Sequence, residues 1–261
     1  MLSILVIFLL LTVAFLFSPL GLGGGVLYVP ILHYLAGWDM EVAILASLAL
    51  VWMVAIGSSL AHHSGGHSDN EMANTGRLAA VPGAIIGTIL AWYSLTYVSD
   101  IVIKIVAAAI LIFVIERNLR TIPDIEITTD KMGVYRVGAA FGGVASGLLG
   151  IGGGAIYVTL HRSILGFDSR KSAGTSYLIG AVVVPVALFS HIILDGTAPE
   201  VLANTGYLVA VLVPLAALGT AWFGAKYAIE HLSVKMVTTT FLIAVSLSLS
   251  RYLWDIGARI L

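Results

Sequence analysis

Long apolar runs separated by short polar breaks set the plan of the chain. Apolar segments fall at about 2–20 and 24–36, then at 42–61, 77–96 and 100–117. A polar stretch follows from Glu116 to Lys131, and the plan then returns at about 133–149, 153–165, 172–193, 206–226 and 233–252. Most of these runs reach the 17–25 residues that a helix needs to cross ~30 Å of hydrocarbon. None alternates at period 2, as the strands of a membrane barrel do. The pattern predicts an all-α polytopic membrane protein.

Composition agrees with that reading. The 261 residues are 59% hydrophobic and 10% charged, too few charges to cover a soluble surface. With a net charge of −1, no broad field points to nucleic acid. The absence of cysteine removes disulfides, thiolate zinc and iron–sulfur chemistry. Residues Leu2 to Phe17 lack a basic leader and an Ala-x-Ala site, so a retained membrane segment is expected there.

The two halves repeat each other. Gly21-Leu22-Gly23-Gly24-Gly25 matches Gly150-Ile151-Gly152-Gly153-Gly154, and Ser47 and His62 match Ser176 and His191 at the same offset. Asn74-Thr75-Gly76 returns as Asn204-Thr205-Gly206, and Pro82, Gly87 and Thr88 return as Pro214, Gly219 and Thr220. The expected units are a first repeat over 1–118, a cytoplasmic linker over 119–132 and a second repeat over 133–261.

Basic residues orient the halves. If each apolar pair around the glycines enters and returns to one side, Arg77, Arg117, Arg120, Lys131, Arg136, Arg162, Arg170, Lys171, Lys226 and Lys235 share a side. Only Lys104, Arg251 and Arg259 then face the other. If each pair crosses once, the same residues divide seven against six. The charge bias therefore favours re-entrant pairs, two inverted-topology repeats with three spanning helices each, and both termini outside. Inverted repeats are common in secondary transporters, with the site at the repeat interface.

Glycine-rich backbone at membrane depth must be buried in protein or line a cavity. Chain reversal at Gly23, Gly24, Gly25 and at Gly152, Gly153, Gly154 would present half-helix N-termini, whose free amides and positive dipole ends favour an anion. The competing reading is close helix contact through small residues. Ser47, Thr175 and Ser176 are candidate hydroxyl donors, or else bond backbone locally. Tyr28 and Tyr157, three residues past the glycines, either aim a phenol into the cavity or pack within their helix. His62 and His191 are candidates for proton coupling, with water-exposed span ends as the plainer expectation. His62-His63-x-x-x-His67 is a weak metal pattern, and no metal or cofactor is expected. Asp39 and Asp168 read as acids at helix starts. No Lys or Arg lies deep in a span, so an anion there would be held by dipoles.

The paired Gly-x-Gly-Gly-Gly strings, the Ala-Gly-Thr-Ser element at Ala173–Ser176 and the Pro/Gly-rich third span resemble the TauE/SafE family of sulfite and organosulfonate exporters. The resemblance extends over nearly the whole chain. It implies a multipass plasma-membrane protein that moves sulfur-containing anions, with Gly23–Gly25, Gly152–Gly154, Thr175 and Ser176 at the site. Two positions depart from two-fold equivalence: Ala46-Ser47 stands for Thr-Ser in the first half, and Thr159 stands where the first half has Pro30. The expected function is secondary transport of a small anion, with H+ or Na+ as a coupling ion. The alternatives are an anion channel or a membrane subunit without transport. An intramembrane hydrolase is disfavoured, because Ser176 and His191 are about 22 Å apart along a straight helix at 1.5 Å per residue.

Overall fold

Apolar runs that long can satisfy their backbone in lipid only as helix, and helix is what they form. The computed structural model describes residues 2–119, 129–231 and 233–260. Its helices are α1 (Ile4–Phe17), α2 (Gly25–Pro30), α3 (Met40–Ser64), α4 (Asn70–Tyr97), α5 (Asp100–Leu119), α6 (Thr129–Leu149), α7 (Gly154–Ser163), α8 (Ser169–Leu194), α9 (Ala198–His231) and α10 (Val234–Ile260). Most of the expected linker over 119–132 lies outside the described residues. Among the described residues, five helices are long and apolar enough to cross a bilayer: α3, α4, α8, α9 and the Lys131–Leu149 part of α6. Helices α5 and α10 stand where spans were expected but are not in that set, and they carry Asp100, Lys104, Arg251, Asp255 and Arg259. Exposed Ile85, Ile86, Ile89 and Leu90 on α4, with Leu208, Val211, Leu212 and Leu215 on α9, form the apolar outer face that lipid requires.

Local chemistry sets the helix ends. Asp168 accepts from the Arg170 and Lys171 amides at 2.8 and 3.0 Å and caps α8, as expected of an acid there. Asp39 stands at the matching place before α3 without a side-chain cap bond. Gly206 (φ 73°, ψ 155°) interrupts α9 where the 206–226 apolar run was expected to begin. Pro30 explains a difference between the halves. It lacks an amide hydrogen, and the chain after it widens into a π-helical turn over Ile31–Leu35. Thr159 stands at the matching place, donates to the Ala155 carbonyl at 2.8 Å, and α7 runs on as regular helix to Ser163.

Short helices α2 and α7 fold back along α1 and α6. A Cβ built on Gly24 would lie 2.9 Å from Val13 Cγ1 of α1, and one on Gly142 of α6 would lie 2.3 Å from Tyr157 Cε1 of α7. Gly138 meets Leu160 one turn further along that second hairpin. Packing between halves then comes in matched sets. Helix α4 packs on α6 as α1 packs on α9, α3 packs on α9 as α4 packs on α8, and the equivalent pairs α3/α8 and α5/α10 pack on each other. The α4/α6 seam is as close as backbones allow. Added Cβ atoms on Gly83, Gly87, Gly143 and Gly147 would lie 2.0–2.2 Å from carbonyl oxygens across it. Helices α3 and α8 run antiparallel, with Gly174 at the start of α8 beside His62 at the end of α3 and Gly180 beside Ala55.

One basic residue at the head of an expected span is enclosed by protein. Lys104, in the first turns of α5, is fully buried. Its ammonium pairs with Asp100 at 2.7 Å and with Asp255 of α10, and Arg259 reaches Asp100 at 2.5 Å. Tyr34 donates to Asp255 at 3.3 Å, and the Arg251 guanidinium lies 4.2 Å from the centre of the Tyr34 ring. The three basic residues assigned to the minority side thus gather at one end of α5 and α10, and Lys104 is neutralised there by carboxylates.

Candidate functional site

Gly24 and Gly153 are the N-cap residues of α2 and α7, both left-handed at φ 79° and 69°. That conformation is why glycine is needed there, since a side chain would crowd the following carbonyl. Hydrogen bonding within each helix starts late. Leu27 and Tyr28 amides donate to the Gly24 carbonyl, and Ile156 and Tyr157 amides donate to that of Gly153. The amides before them have no partner inside their own helix.

The two glycine clusters pass directly against each other. A Cβ on Gly25 would lie 2.6 Å from Ile151 Cα and 2.9 Å from the Gly150 oxygen. Reciprocally, a Cβ on Gly154 would lie 2.5 Å from the Gly21 oxygen and 3.0 Å from Leu22 Cα. Val51 of α3 flanks both Gly23 and Gly152, and Val184 of α8 flanks Gly152. These valines stand near the middle of the two long central helices. Residues 21–25 and 150–154 are all buried. Close contact between backbones and helix-start amides without a partner in their own helix are therefore present at the same place.

The serines serve the turns. Ser47 donates to the Gly150 carbonyl at 2.8 Å, and Ser176 donates to the Gly21 carbonyl at 2.8 Å with Gly154 O at 3.4 Å. Each hydroxyl hydrogen is thus spent on the other half's glycine carbonyl. Replacing Ser176 with alanine would strip a buried carbonyl of its donor. We expect a loss of about 1–3 kcal/mol, read as a lowered thermal midpoint in detergent and reduced flux.

The other expected residues divide. Thr175 does not face the glycines, because its oxygen accepts the Asp69 amide at 3.0 Å and ties α8 to the α3–α4 loop. Partial burial raises the Asp69 carboxyl, but the Met72 amide and the Lys171 ammonium at 3.0 Å outweigh it and hold it below its usual range. Tyr28 and Tyr157 are fully buried, with ring tips where a Cβ on their own Gly24 and Gly153 would stand. Neither hydroxyl has a hydrogen-bond partner among the described residues. His62 and His191 are fully buried, which corrects the expectation of wet span ends. Each reaches back to a matching carbonyl just ahead of a glycine cluster, His62 Nε2 to Ser18 O at 3.4 Å and His191 Nε2 to Gly147 O at 2.6 Å. His63 pairs with Ser68 instead of converging with His62, and no metal-holding group of three or more occurs among the described residues.

Tyr177 was missed by sequence reasoning. Its hydroxyl donates to the Phe17 carbonyl at 2.9 Å and accepts from the Gly23 amide at 3.4 Å, so a phenol oxygen occupies the mouth of the first glycine cluster. The matching first-half residue is Leu48. A polar group beside Ser176 that breaks the repeat was the available signal.

Comparison with known families adds one finding. The family model described as "Sulfite exporter TauE/SafE" matches residues 5–252. No curated protein and no solved structure matches the chain.

Proposed function

Because the chain belongs to the TauE/SafE sulfite exporter family, a family of membrane transport proteins, we propose that it carries a small sulfur oxyanion or an organosulfonate by alternating access between its halves. The observation that carries this reading is the meeting of the two glycine clusters at the middle of α3 and α8. The start of one short helix from each half converges there, and no fixed charge is needed to hold a weakly bound anion. Binding by dipoles alone is modest, which suits a carrier that must release its cargo.

The antiparallel run of α3 against α8 and the matched packing of the halves support two inverted repeats, over 1–118 and 133–261. The hairpins α1–α2 and α6–α7 are then re-entrant, both termini lie outside, and the protein sits in the plasma membrane. In the conformation described the glycines are covered on all sides. Access from one side and then the other follows from rocking one half against its partner about the α3/α8 crossing.

Flux of sulfite and of a short organosulfonate into liposomes holding the purified protein tests this. Saturable uptake with counterflow is expected. Exchange that fails under every imposed ion gradient refutes the reading, and flux that rises linearly with concentration and shows no counterflow favours a channel.

A further inference from the structure

His191 and His62 hold equivalent places in the two halves, yet their surroundings differ by one carboxylate. Asp195, one turn after His191 in sequence, places Oδ2 2.5 Å from His191 Nδ1. The residue that matches Asp195 in the first half is Gly66, and His62 Nδ1 is buried without a partner among the described residues. On its other side His191 Nε2 lies 2.6 Å from the Gly147 carbonyl oxygen.

These two short contacts count protons. A carbonyl oxygen only accepts, so Nε2 must carry hydrogen. A nitrogen lone pair and a bare carboxylate oxygen would repel at 2.5 Å, so a second proton stands between Nδ1 and Asp195. Both contacts are hydrogen bonds together only when the pair holds one proton more than a neutral imidazole beside a carboxylate. His62, with a single distant acceptor at 3.4 Å, needs one ring hydrogen only.

We propose that the His191–Asp195 pair is the binding site for a proton that travels with the anion, and that His62 has no part in proton binding. The proposal rests on the transport reading above for the identity of the co-substrate. Gly147 belongs to the last turn of α6, which leads directly into the second glycine cluster at Gly150. Loss of the proton leaves a buried negative charge at that helix end and removes the attraction that holds Asp195 to the ring. Glu41 at the head of α3 acts on both members of the pair, and Asp39 and Glu200, at the heads of α3 and α9, act in turn on Glu41. The segments of α4 and α6 beside Gly147, 78–97 and 138–149, carry no charged residue. The end is thus acidic, and an anion nearby is better tolerated when the pair is protonated. Proton and anion binding then strengthen each other by the same factor.

Two measurements on the full-length protein in nanodiscs decide the matter. The first is nitrogen NMR of 15N-histidine protein, assigned by His191→Gln and His62→Gln. Both His191 nitrogens are expected to carry hydrogen under conditions where His62 has a single N–H. A His191 ring with one bare nitrogen and no proton shared with Asp195 overturns the proposal. The second is proton uptake on adding a short organosulfonate, which does not itself titrate, in weakly buffered solution at a pH where the NMR shows the shared proton to have left. Close to one proton per anion is expected in the unmodified protein and in His62→Gln, with anion affinity changing up to about tenfold per pH unit. Uptake should vanish in Asp195→Asn. Undiminished uptake in Asp195→Asn, or its loss in His62→Gln, overturns the proposal. If neither sulfite nor an organosulfonate binds, the transport reading fails, and the NMR result alone upholds or rejects the proton site.

Discussion

Replacing Gly25 with valine is expected to abolish anion flux while the protein still inserts into the membrane. Gly25 and Gly154 are the members of the two clusters whose φ angles are ordinary, so a side chain there meets no backbone strain. What it meets is the other half. The Cβ of a Gly25 substituent would lie 2.6 Å from Ile151 Cα, and that of a Gly154 substituent would lie 2.5 Å from the Gly21 oxygen. Both obstacles are backbone and cannot turn aside as a side-chain tip would. Overpacking a tight contact costs about 1–3 kcal/mol and moves the backbone. Here the displaced backbone is the set of amides assigned to the anion. A drop in flux of at least a hundredfold per inserted molecule is expected for Gly25→Val and for Gly154→Val. Gly37→Ala is the control: its φ of +72° makes the change strained, but nothing lies within 4 Å. It should cost roughly 1 kcal/mol of stability and leave flux near normal. Normal flux in both valine variants would remove the glycine clusters from the site.

Lys104→Met should cost more stability than any single surface change. The ammonium is enclosed, and it holds Asp100 and Asp255 together across the α5/α10 contact. Removing it leaves two poorly hydrated carboxylates facing each other, and breaking a buried pair in this way costs about 3–5 kcal/mol. Arg259 offsets part of this, because it reaches Asp100 from the exposed side. Thermal unfolding in detergent should show a much lowered midpoint. The double variant with Asp255→Asn should recover part of the loss, since the second orphaned charge is gone. A single variant as stable as the parent would mean that Lys104 is not the tie between these helices.

The helical, membrane-embedded character of the chain and the duplication were legible before any coordinates. Apolar length is a local property, and lipid leaves helix as the way for such runs to satisfy their backbone. The glycine strings were legible for a similar reason, since three glycines in an apolar run announce backbone that ordinary helix does not need. Pro30 against Thr159 was visible as a mismatch, but its consequence, a π-helical turn in one half only, depends on how the following residues pack.

Ser47 and Ser176 show where local reading stops. Residue type marked them as donors, but the identity of the acceptor depends on which carbonyl lies opposite, and each faces a glycine more than a hundred residues away in sequence. Thr175, the neighbour of Ser176, turns to Asp69 because successive side chains on a helix point about 100° apart. Burial of the histidines was hidden for the same reason. A residue near the end of a long helix looks wet in sequence, and each is dry here because it lies against the hairpin of its own half, with α8 also beside His62.

The glycine pair and the halves that repeat around it are written in the order of residues, because they depend on length, hydropathy and the conformational freedom of glycine. That the two clusters lie backbone against backbone and that Tyr177 occupies one of them follow from packing between the halves. Such contacts are set by distances across the fold, and no local pattern along the chain encodes them.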